Sequence, residues 1–369
     1  MKTVAFVLDY VMHYHRDTLV ELDRRLRAAG GRLVLLTADH AAGKTGRVPL
    51  REKVLRDEHK FRLVEIVVGS YMLRHQRGVA RILRELRPDV VITTSHSGTF
   101  SEWQVMRMKR KAGFKMVAWQ CGYDYNPGRL KDLVLKKFIP GFDHHLAYHS
   151  NAREFAVKYG ASSSQVTVMH NTINEEKIVR TERAVARRVF EERVPNAAGK
   201  TVLLYVGAVL AEKRLERVIA ALDTIKPANV VFVVIGDGPH LESLREMYSD
   251  RHDIAFLGRI VEGVGQFFDA ADIFVLPGTG GLAINEAMAH ALPIVSGYAD
   301  GSADDLVKDG VNGFRLRTDD PEELAMRIQT LSSDGAMRDR FGAKSLEMIT
   351  THLSFREFID RVVGAVAAL

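Results

Sequence analysis

The sequence predicts an α/β fold built from two Rossmann-like domains in tandem. Short continuous apolar runs alternate with amphipathic helical runs along most of the 369 residues, as parallel strands covered on both faces do. The alternation breaks once, over the charged stretch 174–200, and then restarts. The length suits two domains of ordinary size.

In the first half the strands read as "TVAFVLD", "RLVLLTA", "FRLVEIVV", "DVVITTS", "KMVAWQC", "HHLAYHS" and "VTVMHNT". Helices fit "DTLVELDRRLRAAG", "VARILRELRP", "TFSEWQVMRMKRKAG", "GRLKDLVLKKFIPG" and "NAREFAVKYGA". Asp17 suits the N-cap of the first of these. In the second half the strands are "TVLLYVG", "NVVFVVIG", "IAFLG", "DIFVLP", "PIVS" and "GFRL". The helices are "LERVIAALDTIK", "PHLESLREMYSD", "VGQFFDAA", "LAINEAMAHA", "SADDLVKDG" and "PEELAMRIQTLSSD", with "SFREFIDRVVGAVAAL" closing the chain. The expected domains are 1–175, 176–352 and a terminal helix, 353–369, that packs back toward the first domain.

Composition excludes several classes. No apolar run reaches the 18 residues that a membrane helix needs, and the opening segment reads as a first strand rather than a signal peptide. The single cysteine, Cys121, rules out a disulfide framework and fits a reducing cytosol. The net charge of +6 is unevenly placed: residues 1–172 hold 29 lysines and arginines against 16 acids, leaving 23 against 30 for the rest. A basic first half suits an anionic partner. Nucleic acid is not expected, because aromatic side chains are not interleaved with the cations. The segments "MRMKRKAGFKM" and "GRLKDLVLKKFIPGF" mix cations with large apolar residues, as interfacial helices do. The expected location is therefore cytoplasmic, with peripheral contact at the inner face of an anionic membrane through the first domain.

Open α/β sheets bind ligands beyond the carboxyl ends of their strands, so the loops there carry the argument. In "YVGAVLAEKRLERVIAAL", Gly207 ends a strand and Lys213 precedes a helix, which makes an anion site. In "VIGDGPHLESL", Gly236 and Gly238 permit close approach of the backbone. In "LPGTGGLAINEAMAHALPI", Gly278, Thr279, Gly280 and Gly281 offer N–H groups unobstructed by bulk. The helix behind Leu282 adds its positive end, and Glu286 lies about one turn into it. A diphosphate suits such a loop, and Glu286 suits a ribose diol beyond it. In the first half, "DYVMHYHRD" places His13, His15, Arg16 and Asp17 at a strand end.

These three motifs, followed by "FLGRI" and "GSADDLVKDGVNGF", resemble the donor domain of the group 1, family 4 glycosyltransferases of GT-B fold, over residues 200–350. The first half resembles them by layout, by "HYHRDTLVEL" and by "AWQCG". The resemblance implies two Rossmann-like domains facing across a cleft. A nucleotide-diphosphate-sugar of UDP or GDP type would bind the second domain and an acceptor hydroxyl the first. Transfer would retain anomeric configuration and need neither metal nor cofactor. Carried over by position, Lys213 binds the donor diphosphate and Glu286 the ribose hydroxyls. Gly280, Gly281 and Leu282 face phosphate and sugar, Arg259 and Ile260 lie where the base edge is read, and Gly236 and Gly238 flank the nucleoside. Lys213, Glu286, His13 and Arg16 are the expected catalytic set.

Three positions depart from the family pattern. Ala208 replaces an arginine, for which Arg214 and Arg16 are the candidate substitutes. Gly278 replaces the first acid of the E-x7-E motif, and the loop after Pro277 is short. Cys121 replaces a histidine, whose place His13, His15 or His96 would take. The expected acceptor is a lipid-linked glycan, a cell-surface polysaccharide or a glycosylated metabolite, and the protein a monomer or homodimer. The departures keep two rivals in view, a nucleotide-sugar epimerase or hydrolase and a degenerate nucleotide-binding subunit.

Overall fold

The computed structural model describes residues 2–39, 50, 52–69, 71–122, 128–225, 229–297 and 301–369. It divides into two compact units, Met1–Asn171 with Arg356–Leu369, and Thr172–Phe355.

The first unit is built on eight strands: β1 (Thr3–Leu8), β2 (Arg32–Ala38), β3 (Glu58–Val68), β4 (Tyr71–Arg77), β5 (Val90–Thr93), β6 (Lys115–Gln120), β7 (His144–Ala147) and β8 (Val166–Val168). Their order is β4-β3-β2-β1-β5-β6-β7-β8, parallel except for the β3–β4 pair. β1, β5 and β6 are almost wholly buried, which is why they read as unbroken apolar runs. The terminal helix Phe355–Ala367 joins this unit. Its Phe358 meets the edge of Trp119 at 5.8 Å and its Asp360 pairs with Arg25 at 3.1 Å. Lys2 Nζ donates to the carbonyls of Val366 at 3.0 Å and Ala367 at 3.2 Å, a cation where a helix C-terminus favours one.

The second unit has six parallel strands: β9 (Thr201–Val206), β10 (Val230–Ile235), β11 (Ile254–Gly258), β12 (Ile273–Leu276), β13 (Ile294–Ser296) and β14 (Gly313–Arg315), ordered β11-β10-β9-β12-β13-β14. In each unit the order runs outward in both directions from one strand, β1 or β9. The switch points therefore lie between β1 and β5, and between β9 and β12. These are the crevices where such sheets hold ligands.

The structure corrects five expectations. β4 appears where no strand was expected. The polar stretch 174–200 contains a helix, Arg183–Arg193, which buries Ala186 and Phe190 and sets Phe190 against Phe267 at 5.7 Å. A further helix, Gly335–Thr350, is capped by Asp334, whose carboxylate accepts from Met337 N at 2.9 Å. The helix expected over "SADDLVKDG" is only Ala303–Leu306. The first helix begins at His15, so Asp17 lies in its first turn and does not cap it. The helix expected over 215–226 is described from Glu216 to Ile225, and Lys226 lies outside the described residues.

Candidate functional site

The loops after β9, β10 and β12 interlock through their glycines. Gly207 and Gly236 have φ of 155° and 145°, a region that side chains other than glycine's rarely enter. A Cβ at 236 would lie 1.8 Å from the Gly207 carbonyl oxygen, and one at 238 would lie 2.3 Å from that of Val209. Val209 N donates to Asp237 O at 2.9 Å, and His240 N to Val209 O at 3.2 Å. The β9 and β10 loops are thus joined main chain to main chain.

The β12 loop closes on the β9 loop at the switch point. A Cβ at 278 would lie 2.2 Å from Glu212 O and 2.6 Å from both C and O of Lys213. Thr279 N donates to Glu212 O at 3.2 Å. The Lys213 ammonium donates to Thr279 O at 2.7 Å, Thr279 Oγ1 at 3.2 Å and Gly280 O at 3.4 Å. Position 278 therefore has no room for the acid that the resemblance leads one to expect there.

Glu286 sits in the helix Ala283–Ala289, which follows this loop. It is half-buried, and burial pushes its carboxyl above the usual range while nearby His290 pulls it down. His290 is itself fixed: its Nδ1 bonds Asp269 Oδ1 at 2.6 Å and its ring stacks on Phe268 at 5.2 Å. Arg259, exposed, and Ile260, packed on the core, follow β11 at the same end of the sheet. The carboxyl end of this one sheet thus gathers Gly207, Lys213, Gly236, Gly238, Arg259, Ile260 and Gly278–Leu282, with Glu286 a helical turn behind them. A lysine, backbone groups and a carboxylate so arranged suit an anion with a polyol beside it.

Other candidates are placed differently. Arg214 is in the left-handed region at φ 56° and pairs with Asp319 at 2.8 Å, a carboxylate it shares with Arg217. Ala208 leaves only its carbonyl, which accepts from Tyr205 Oη at 2.8 Å. His13 and Arg16 belong to the first unit. His13 is exposed against Tyr14 at 5.3 Å, and Arg16 pairs with Glu52 on the surface. His15 Nδ1 accepts from Met12 N at 3.2 Å, which fixes its ring locally. Cys121 is half-buried just past β6. His145 lies in the core of the first unit, where burial lowers it to about 4.

Two features escaped the sequence. Thr279 contributes its side chain to Lys213, and His240 Nε2 bonds Glu216, linking the β10 loop to the helix behind Lys213. The histidine after "GDGP" was the only signal for the second. The first unit also holds an unforeseen buried network at its own switch point. Asp9 Oδ1 accepts from Gln76 Nε2 at 2.7 Å and Asp9 Oδ2 pairs with Arg74 at 3.3 Å. Glu102 accepts from Thr93 Oγ1 at 3.0 Å and His96 N at 3.1 Å.

Known proteins place this geometry. A family model described as glycosyl transferases group 1 matches residues 200–334, and one described as glycosyltransferase family 4 matches residues 17–177. Sulfoquinovosyl transferase SQD2 of Arabidopsis thaliana is 31% identical over 154 residues, 40% of this chain and 30% of that protein. The lipopolysaccharide core biosynthesis glycosyltransferase LpsD of Rhizobium meliloti is 22% identical over 325 residues, 86% of this chain and 85% of that one. The chain spans between 30% and 59% of the length of SQD2 and three other curated relatives. Among solved structures, Anabaena HepE in complex with UDP superposes with a TM-score of 0.81 at 17% identity, over 100% of both chains. That likeness gives the fold, and the family models give the kinship: the chain belongs to the group 1, family 4 glycosyltransferases of GT-B fold.

Proposed function

We propose that this protein transfers a sugar, with retention, from a nucleotide-diphosphate-sugar to a hydroxyl of a lipid-linked glycan, cell-surface polysaccharide or glycosylated metabolite. The observation that carries the reading is the Lys213 ammonium set against the 278–281 loop at the β9/β12 switch point. The donor diphosphate takes that place, and Lys213 offsets the charge that grows on it as the glycosidic bond breaks. The loop N–H groups share the work, and no metal is required. Glu286 accepts from the ribose hydroxyls, backbone groups near Arg259 and Ile260 read the base edge, and the turn at Gly236 and Gly238 lies beside the nucleoside. HepE is known with UDP and with UDP-glucose, which favours a uridine donor here. The sugar is read by groups other than residue 278, whose side-chain space is filled by backbone.

The acceptor belongs to the first unit. A membrane-borne acceptor suits its basic balance and the helix Arg129–Phe138, which exposes Leu130 and Leu133 among Lys131, Lys136 and Lys137. On this reading the enzyme works at the cytoplasmic membrane face.

The test is a panel of UDP- and GDP-sugars, read by calorimetry and by product analysis. Lys213→Ala and Glu286→Ala should each abolish turnover and weaken UDP binding. Full activity in both variants would sink the site assignment. Free sugar or an epimer formed without acceptor would instead indicate a hydrolase or epimerase, and binding without any transfer would indicate a regulatory subunit.

A further inference from the structure

The strand that the sequence hid, β4, builds an element with no role in the donor site. β2 pairs with β3 only from Glu58 to Phe61. From Arg62 to Val68, β3 is paired with β4 alone among the described residues, in the register Arg62↔Arg77, Val64↔His75, Ile66↔Leu73 and Val68↔Tyr71. The outer edge of β4 is covered at Arg74, which bridges to Thr99. Beyond that point the two strands form a ribbon ending in the turn at Gly69. Two-stranded ribbons are marginal in water by themselves. This one exposes Ile66 (57%), Val67 (64%), Val68 (54%), Met72 (46%) and Leu73 (46%), a concentration of apolar surface that marks a contact site.

Strand side chains alternate, so Arg62, Val64, Ile66 and Val68 share one face with Arg77, His75 and Leu73. Phe100, 55% exposed, lies edge-on to His75 at 5.5 Å and extends that face. Arg62 and Arg77 stand directly opposite each other, an arrangement that costs stability in water. The ribbon's acid, Glu65, is on the other face, bound to Arg74 at 3.1 Å. Among the described residues the ribbon's face therefore combines an apolar end with two opposed cations and no exposed acid, while the side chain of Glu58, farther back along β3 on that face, is buried and paired with Lys60 at 2.6 Å. A second copy of the chain laid on it would bring four arginines together without a counter-charge.

We propose that the β3–β4 ribbon docks this protein on an anionic lipid surface, with Ile66, Val68 and Leu73 in the apolar boundary and Arg62 and Arg77 on lipid phosphates. This deepens the proposed function and rests on its reading of a membrane-borne acceptor. The experiment is co-sedimentation with vesicles of phosphatidylcholine alone or with one quarter phosphatidylglycerol, without donor or acceptor. The full chain should bind the anionic vesicles strongly, the neutral ones weakly, and lose binding in high salt. Arg62→Ala with Arg77→Ala should weaken binding about tenfold or more, since each cation near such a surface contributes appreciably. Ile66→Glu with Leu73→Glu should weaken it as much. UDP titration of the same samples checks that each variant is folded, and reads the donor site independently of lipid. Equal binding to both vesicle types, no binding, or binding untouched by either double variant would overturn the proposal. So would a dimer of the wild type that both variants dissolve, which would assign the ribbon to self-association.

Discussion

Gly278→Ala probes the donor loop at its tightest point. The new Cβ would lie 2.2 Å from Glu212 O and 2.6 Å from two backbone atoms of Lys213. None of these can rotate away, so the 277–281 loop and the 211–213 turn must separate by more than 1 Å to reach ordinary contact. Overpacking of this kind costs about 1–3 kcal/mol. The separation also strains the Thr279 N–H bond to Glu212 O and the 2.7 Å bond from Lys213 to Thr279 O, worth roughly 1–3 kcal/mol more because one donor is charged. The expected loss is about 2–6 kcal/mol in the second unit, or a fall of roughly 4–24 °C in its melting temperature. UDP affinity should fall with it, because the lysine and the loop N–H groups no longer converge. Gly281→Ala is the control for stability, since a Cβ there meets nothing within 4 Å. Calorimetric melts compare the two variants, and UDP titrations compare Gly278→Ala with the wild type. If Gly278→Ala melts like Gly281→Ala and binds UDP like the wild type, the loops are not locked together as described. The same clash means that Gly278→Glu will not restore the family's missing acid.

Two further expectations concern buried charge. Burial pushes the Glu102 carboxyl up to about 8, against hydrogen bonds from His96 N and Thr93 and with added repulsion from Asp9. A carboxyl raised on folding takes up a proton, so the stability it contributes is full below about pH 4.5 and is lost as pH rises toward 8. Urea unfolding between pH 5 and 8.5 should show that decline in the wild type and much less of it in Glu102→Gln; equal slopes would refute the assignment. Asp272 accepts from Val202 N at 2.7 Å and Arg187 at 3.1 Å and also pairs with Arg183. Asp272→Ala leaves the buried Val202 N–H without this acceptor, while Arg187 keeps Glu191 and three backbone carbonyls, so it should cost the second unit about 1–3 kcal/mol; an unchanged stability would show that the Val202 N–H finds another acceptor.

The parts of this molecule that were legible in the sequence are those with a local cause. Most of the thirteen strands that were legible announce themselves because both faces of a parallel sheet are buried, so each is an apolar run; β3 was legible from apolar residues that its outer half leaves exposed. β4 does not, because "YMLRHQR" pairs antiparallel at an edge and mixes apolar with charged residues. The helix Arg183–Arg193 buries only Ala186 and Phe190 on a charged background, so its periodicity is faint. Gly335–Thr350 carries Gly342, whose Cβ would strike Ala291 O at 2.1 Å; a glycine that packing demands looks, in sequence, like a helix breaker. In the site, the glycines were visible, but their reasons were not. That Gly278 faces Lys213 depends on β9 and β12 being neighbours, and they are separated by some 70 residues of chain. For the same reason Arg214 looked available as a replacement for the arginine absent at 208, whereas its partner is Asp319.

The two switch points are built from different materials, and the difference bears on what each can recognise. Around the β9 loop the walls are main chain: Gly236 on Gly207 and Gly238 on Val209 toward β10, and Gly278 on Glu212 and Lys213 at the β9/β12 switch point. Such a surface offers N–H and C=O groups whose positions do not depend on side-chain identity, so it suits a group shared by every donor, the diphosphate. At β1/β5 the walls are side chains: Asp9, Gln76, Arg74 and Ser101 hold one another, and Glu102 is held by Thr93 and His96 N. One substitution there changes hydrogen-bonding pattern and charge together, and buried polar groups left unpaired are costly. On the proposed reading, the second unit keeps donor chemistry constant through its backbone, while the first can be retuned residue by residue to a new acceptor. Substitutions within the Asp9 network should therefore shift acceptor preference before they touch UDP affinity, whereas changes at Gly236, Gly238 or Gly278 should lower affinity for every nucleotide-sugar alike.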